Sequence, residues 1–203
     1  MPSIFAVAAS LAAVVVDADG VVLTQPFLDV CRLALPVVER LGAAFLLVRS
    51  DVQGNIDRLA ARAATDPARF AALFDIAREE QARGAAGASD SCARGLLWLV
   101  RAMRFVTSLL AALCERPGEA LPALAAEAYY AVLNPYHGYL ASAAFGLALR
   151  FVPDRGAFYE SAGLAGDGDG AGEMAAFVAA FGPALAAVHA LLAEAGLDDP
   201  ATV

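Results

Sequence analysis

Apolar residues of this chain recur at the three- and four-residue intervals of a helix rather than at the alternate positions of a strand. Alanine and leucine, which are both strong helix formers, dominate the pattern. The 203 residues are 60% hydrophobic and 18% charged, which is enough apolar material for a large core or for a lined cavity. The sequence therefore predicts an all-α fold in a single domain over residues 1–203.

Prolines, glycines and capping residues divide this pattern into separate helices. The predicted helical segments are 3–16, 21–48, 49–64, 67–81, 92–114, 119–133, 136–151, 156–163 and 173–195. Thr65 or Asp66 is expected to cap the fourth of these, with Pro67 in its first turn. The glycine-rich segment 163–172 is predicted to be a mobile loop, and the tail from Gly196 is predicted to be frayed.

Charge and cysteine usage exclude several classes of function. The net charge is −8 and the pI is about 4.7, so nucleic acid is not an expected partner, because phosphate contacts need a basic face. Cys31, Cys92 and Cys114 are widely spaced and odd in number, which predicts reduced thiols in a cytoplasmic protein without zinc. The uncharged run from Ile4 to Val16 is predicted to be a buried first helix, with a secretory signal as the alternative.

The most polar short stretch of the chain carries Asp51, Asn55 and Arg58, which are four and three positions apart. On a helix they share one face within about two turns. A carboxylate, an amide and a guanidinium beside an apolar seam can hold a polar head group while the seam takes an apolar tail. The alternative, favoured by spacing alone, is a solvated helix face with an intrahelical ion pair. The seam consists of Val48, Val52, Ile56 and Leu59.

A second face combines Arg94, Trp98, Arg101 and Phe105, which are spaced by four, three and four residues. Trp98 is the only tryptophan of the chain, and a flat indole is a natural stacking platform for a sugar ring. The arginines could hold a head group or pair with Asp51. A core tryptophan flanked by extended arginines fits the spacing equally well.

A third cluster is the segment Tyr136–Tyr139, which contains one of the two histidines. A neutral His137 could donate to a ligand amide or carbonyl, and a capping or core histidine is the alternative. His189 has no evident partner, and Asp198 and Asp199 are predicted to be surface charge. The chain has none of the GxSxG, HExxH or Walker patterns, so neither an enzyme nor a metal or cofactor site is predicted.

Four segments in this order resemble the glycolipid transfer protein family. Arg49–Ile56 is similar to its Asp-x-x-Gly-Asn-Ile head-group helix, and Thr65–Phe70 to the proline-containing start of the next helix. Leu97–Phe105 resembles the tryptophan helix of the family, and Tyr136–Tyr139 its Tyr-His-Gly-Trp motif. The resemblance extends from about residue 27 to residue 162.

The resemblance implies a two-layer sandwich of about eight helices with a lipid pocket between the layers. It also implies a non-enzymatic, monomeric carrier that moves single glycosphingolipids between membranes and touches them transiently. The implied head-group and amide site consists of Asp51, Asn55, Arg58, Trp98, Arg101 and His137. The implied hydrophobic pocket is lined by Val48, Phe105, Leu133 and Phe145. Tyr139, where the family usually has tryptophan, is the implied membrane contact.

Departures from the family pattern keep two alternatives open. Arg58 stands where lysine is usual, and Arg94 where an apolar residue is usual. Together with Arg101 they could form a phosphate site, as in the related carriers of ceramide-1-phosphate. Those carriers usually have lysine at the Asn55 position and arginine at the Trp98 position, so these two residues favour a sugar. A helical sensor that binds glycolipid without transferring it is the other alternative.

Overall fold

The computed structural model describes residues 3–164 and 170–200, which form nine α-helices and no strands within that part of the chain. The helices are α1 Ile4–Ala12, α2 Thr24–Glu39, α3 Leu46–Thr65, α4 Leu73–Ala82, α5 Cys92–Glu115, α6 Leu121–Val132, α7 Tyr139–Leu149, α8 Arg155–Ser161 and α9 Gly170–Glu194. Short 3₁₀ turns occupy Ala43–Phe45 and Asn134–Tyr136. The predicted all-α fold class is confirmed.

Helix α5 is the central element and contacts α2, α3, α4, α6 and α9. Two side chains hold the start of α5 in place. The Ser91 hydroxyl accepts the N–H of Arg94 at 3.1 Å, as an N-cap does. The buried carboxylate of Glu80, on α4, accepts the N–H groups of Cys92 and Ala93 at 2.9 and 2.8 Å. Because the first amides of a helix lack intrahelical partners, this carboxylate fixes the end of α5 that carries the tryptophan face.

The buried apolar side chains form one contiguous cluster, to which all the larger helices contribute. Aromatic pairs join the terminal helices to it: Phe5 of α1 lies 6.4 Å from Phe177 of α9, and Phe27 of α2 lies 5.5 Å from Phe181. Each fully buried side chain of this size contributes roughly 1.5–3 kcal/mol. Helices α5 and α9 are long and apolar enough, by length and composition alone, to cross a membrane. They pack against each other, and most of α5 is buried in the cluster.

The single helix predicted for 21–48 is divided in two. Helix α2 ends at Glu39, and the backbone turns at Gly42, whose φ of +115° is a conformation that favours glycine. A Cβ at this position would lie 3.0 Å from the carbonyl oxygen of Phe151, so the absent side chain also permits a close backbone approach. Helix α3 is therefore a separate helix that begins at Leu46, five residues before Asp51.

The predicted start of the fourth helix at Pro67 is wrong, because α4 begins at Leu73. Asp66 does not cap a helix there. Its carboxylate accepts the N–H of Arg69 at 3.1 Å within a turn. Such a local side-chain hydrogen bond offers the backbone an alternative to the helix, which the capping pattern alone does not reveal.

All three cysteines are free, and Cys31 and Cys92 are buried as predicted, whereas Cys114 is half-buried. Burial raises the pKa of each thiol, in the case of Cys92 to about 11. The described residues contain no group of three potential metal ligands. The loop predicted at 163–172 falls partly on residues 165–169, which lie outside the described residues, and α9 begins at Gly170.

Candidate functional site

A polar pocket of about 410 Å³ opens between α3 and α5. Helix α3, helix α5, the loop before α5 and the turn before α7 all contribute side chains to it, although they are far apart in the sequence. Five of the six predicted head-group residues line it, all except Arg101. The lining consists of Asp51, Asn55, Arg58, Ser89, Arg94, Gly95, Trp98 and His137.

Close packing of α3 against α5 places the amide and the guanidinium of this pocket. Asn55 is 6% exposed, and the Arg58 Nη1 donates to the carbonyl oxygen of Ser91 at 3.2 Å. Both side chains cross over Gly95: a Cβ there would lie 3.3 Å from the Asn55 Oδ1 and 3.3 Å from the Arg58 Nη1. Sequence reasoning missed Gly95, although a glycine inside a long helix costs about 1 kcal/mol and so signals a close approach.

For the glycolipid transfer that the family resemblance implies, we expect Gly95→Ala to lower the rate roughly threefold, because the added methyl displaces Asn55 and Arg58 by a few tenths of an ångström. Gly54→Ala on α3 is the matched control, since a Cβ there meets no atom within 4 Å. That control should keep transfer and raise the free energy of unfolding by roughly 0.5–1 kcal/mol. A vesicle transfer assay and urea unfolding measure the two effects, and equal transfer by both variants would contradict the role assigned to Gly95.

Asp51 lies at the rim of the pocket with an exposed side chain. Neighbouring protein atoms nevertheless remove enough water to raise the pKa of its carboxyl, and the charge of Arg58 partly offsets this effect. Asp51 makes no side-chain hydrogen bond to the residues that the structure describes. Its carboxylate oxygens are therefore available to accept hydrogen bonds from a ligand.

Trp98 and His137 form a flat wall of the polar pocket. The half-buried indole stacks on the imidazole with ring centroids 5.8 Å apart and an interplanar angle of 27°. Burial and the nearby charge of Arg101 lower the pKa of His137, so the ring is neutral at pH 7. The hydroxyl of Tyr129 lies 3.2 Å from the His137 Nδ1. With that hydroxyl donating, the ring proton is on Nε2, which can then donate to a ligand.

An apolar cleft of about 290 Å³ continues from the polar pocket. The two share Asp51, Trp98 and His137. Of the residues predicted for the hydrophobic pocket, Val48, Leu133 and Phe145 line the cleft, whereas Phe105 is buried behind it. The remaining lining residues are Ala44, Leu47, Val52, Ala102, Ala141, Ala144 and Ala148.

Phe145 is the centre of an aromatic cluster at the wall of the apolar cleft. Phe105 and Phe45 contact it edge-on, with centroids 5.9 and 5.3 Å away. The ring of Tyr129 stacks on it at 4.1 Å and 7°. Sequence reasoning missed Phe45 and Tyr129, and no local signal identifies them, because they meet Phe145 only through tertiary packing.

An exposed apolar patch borders the mouth of the cleft. Leu47, at the start of α3, lines the cleft and is 83% exposed. Tyr139 and Leu140, at the start of α7, are 87% and 81% exposed. Large apolar side chains grouped in this way mark an interaction surface more often than side chains that are exposed singly.

Arg101 lies behind Trp98 rather than in the polar pocket. Its side chain is buried, and its Nη2 donates to the Asp198 Oδ1 at 2.9 Å and to the carbonyl oxygen of Asp199 at 2.7 Å. Asp198 also lies 3.3 Å from the Nε2 of His189. The predictions of mere surface charge at Asp198 and of a histidine without a partner are therefore wrong, as is the predicted fraying over residues 196–200, whereas residues 201–203 lie outside the described residues.

Comparisons with known proteins identify the family of this chain. The family described as "Glycolipid transfer protein (GLTP)" matches residues 22–164. Glycolipid transfer protein 1 of Arabidopsis thaliana is 41% identical over 181 residues, which are 89% of this chain and 89% of that protein.

Two solved structures show the fold. The structure reported as "How FAPP2 Selects Simple Glycosphingolipids Using the GLTP-fold" has a TM-score of 0.89, 25% identity and complete coverage of both chains. The human ceramide-1-phosphate transfer protein in complex with 12:0 ceramide-1-phosphate has a TM-score of 0.85 and 20% identity, and the match covers 96% of this chain and 97% of that one. The chain belongs to the glycolipid transfer protein family of non-enzymatic lipid carriers.

Proposed function

We propose that this protein transfers glycosphingolipids between membranes without changing them chemically. The observation that carries the proposal is the continuity of the polar pocket with the apolar cleft through Asp51, Trp98 and His137. A ligand that fills both must have a polar head group joined directly to apolar chains. Glycosylceramides have this form, and the similarity to glycolipid transfer protein 1 supports the same class.

The sugar occupies the polar pocket in this proposal. Its ring stacks on the face of Trp98, and its hydroxyls bond to Asp51, Asn55 and Arg58. Carboxylate, amide and guanidinium together supply both acceptors and donors, as a ring of hydroxyls requires. A lipid that lacks those hydroxyls would leave these groups unpaired, and this cost is the physical origin of head-group selection.

The ceramide amide lies at the border between the two compartments. The His137 Nε2 donates to the acyl-amide oxygen, and the carboxylate of Asp51 accepts the amide N–H. Both groups face the shared rim of the pocket and the cleft. A neutral imidazole suits this role, because it donates one hydrogen bond without bringing a second charge to the apolar entrance.

The acyl and sphingoid chains enter the apolar cleft between Val48, Leu133 and Phe145. Each methylene group exposed to water costs about 0.8 kcal/mol, so the chains can leave a bilayer only where another apolar cavity receives them. If a methylene takes about the volume of a water molecule, roughly 30 Å³, the cleft holds about ten of them. Two long chains therefore require the helices around the cleft to separate further.

The exposed apolar patch docks transiently on the membrane surface. Leu47 lines the cleft, and Tyr139 and Leu140 directly precede Ala141, which also lines it, so a lipid could pass from the bilayer into the cleft without crossing water. The proposal includes a cytoplasmic location, supported by the free cysteines. The monomeric state stays a prediction.

Ceramide-1-phosphate is the alternative ligand, and the positions of the arginines argue against it. Arg58 and Arg94 line the polar pocket, but Arg101 is bound to the C-terminal segment. A phosphate site would therefore lose one of its three candidate cations. Asn55 and Trp98 offer an amide and a stacking face, which suit a sugar better than a phosphate.

A head-group panel in a vesicle transfer assay tests the proposal. Galactosylceramide, glucosylceramide and ceramide-1-phosphate with identical acyl chains are placed in donor vesicles of neutral phospholipid. We expect either glycosylceramide to move at least about tenfold faster than ceramide-1-phosphate, the scale of one lost hydrogen bond to a charged group. Faster movement of the phosphate-headed lipid would contradict the proposal, and binding of glycosylceramide without transfer would identify a sensor.

A further inference from the structure

A buried ion pair joins the C-terminal segment to helix α5 directly behind the tryptophan of the polar pocket. Arg101, which is 1% exposed, follows Trp98 by three residues on α5. Its Nη2 forms two hydrogen bonds to the segment after α9, one to the carboxylate of Asp198 and one to the backbone of Asp199. Helix α5 and the C-terminal segment therefore meet at one guanidinium.

The same guanidinium contacts two aromatic rings, that of Trp98, which lines the polar pocket, and that of Tyr136. Its central carbon lies 3.5 Å from the ring centroid of Tyr136 and 5.0 Å from that of Trp98. Tyr136 ends the 3₁₀ turn immediately before His137, and His137 in turn stacks on Trp98. The position of Arg101 thus affects both rings that form the flat wall of the pocket.

Asp198 is itself held in place. Its side chain is about one-quarter exposed, and its Oδ2 lies 3.3 Å from the Nε2 of His189 on α9. A buried guanidinium that loses its carboxylate partner is left as an uncompensated charge, which tends to move toward water. The ion pair therefore holds the guanidinium against the rings of Trp98 and Tyr136.

We propose that Arg101 and Asp198 form a latch through which the C-terminal segment positions Trp98 and His137 for the sugar. In this proposal neither residue touches the ligand, so both are positioning residues. The sequence predicts that Arg101 binds the head group. In this proposal Arg101 instead acts through the indole of Trp98, which makes that contact. The ligand in this inference rests on the proposed function. The expected effect on the ligand-free protein does not depend on that function.

Trp98 is the only tryptophan of the chain, so its fluorescence reports on this platform alone. The test compares Asp198→Asn with Glu194→Gln, which makes the same charge change on an exposed residue of α9. Acrylamide is the quencher, because a neutral molecule does not respond to the altered charge. We expect Asp198→Asn to raise the quenching constant of the ligand-free protein about twofold, and the control to leave it unchanged.

The second measurement is the affinity for galactosylceramide in neutral phosphatidylcholine vesicles. We expect Asp198→Asn to weaken binding about tenfold relative to the control, with urea unfolding showing that both variants fold. Arg101→Met, which keeps the buried volume, should give the same two effects. Quenching and affinity equal to those of the control in both variants would overturn the latch, as would a failure of both to fold. Changed quenching with no glycolipid binding by the wild type would instead refute the proposed function.

Discussion

Replacing Asp51 with valine is expected to reduce glycosylceramide transfer at least about a hundredfold. In the proposed complex this carboxylate accepts from the ceramide amide and from a sugar hydroxyl. Hydrogen bonds to a charged group are worth roughly 1.5–3 kcal/mol each, so the loss of two accounts for a factor of this size. Valine also extends the apolar cleft into the head-group border, where the polar part of the ligand must lie.

The fold should tolerate this substitution. Asp51 has an exposed side chain and no side-chain hydrogen bond to the described residues. The pKa of its carboxyl is raised in the folded protein, which means that the ionised form is less favourable there than in the unfolded chain. Stability associated with this group therefore falls as the pH rises through its pKa. Removing the charge at neutral pH is expected to leave the free energy of unfolding unchanged or slightly higher.

Asp57→Val is the matched control, because Asp57 is exposed on the same helix and lies outside the polar pocket. Among the residues that the structure describes, its carboxylate accepts only the Gln53 amide, at 2.8 Å. The control should transfer glycosylceramide at the rate of the wild type. A vesicle transfer assay measures the transfer rate of both variants, and urea unfolding measures their free energy of unfolding. If Asp51→Val transferred as fast as Asp57→Val, the assignment of the head-group site would be wrong.

Replacing Trp98 with alanine is the second change with a large expected effect. The sugar loses its stacking face, and His137 loses the ring on which it stacks, 5.8 Å away. A loss of about 2 kcal/mol in ligand binding corresponds to roughly thirtyfold weaker affinity. Trp98→Phe keeps a smaller aromatic face and should fall between the alanine variant and the wild type.

Ceramide without a sugar is the matched ligand for this experiment. It can occupy the apolar cleft, which Trp98 also lines, but it has no sugar to stack on the indole in the polar pocket. Its binding to Trp98→Ala should therefore fall less than the binding of galactosylceramide, because the stacking contact is lost only for the ligand that carries a sugar. An equal loss for ceramide and galactosylceramide would indicate a collapsed cleft, and would argue against a stacking role for Trp98.

The helices and most of the residues of the polar pocket could be predicted from the sequence, because both follow from helical spacing. Helical spacing is a local property, and the positions of Asp51, Asn55 and Arg58 on one face follow from it directly. Helix boundaries at Gly42 and Leu73 were predicted less well. There a close approach to Phe151 and a hydrogen bond of Asp66 within a turn override the local pattern.

The convergence of the three polar clusters could not be derived from their spacing. Separately, each was compatible with an ordinary structural role, which spacing alone favoured for the Asp51 face, and only the resemblance to a family predicted that they meet. The structure brings α3, α5 and the turn before α7 together around one pocket. It also shows why Gly95 matters, because the distance between two helices decides whether a side chain fits between them.

Arg101 shows most clearly what the sequence determines and what the tertiary structure determines. The sequence by itself determined that a guanidinium stands one turn from the only tryptophan, since that follows from helical geometry. Only the tertiary structure decided which side of the indole it takes and which charge it meets. A buried cation settles where a carboxylate and aromatic faces offset its lost hydration, and here these come from Asp198, 97 residues further along the chain, and from Tyr136.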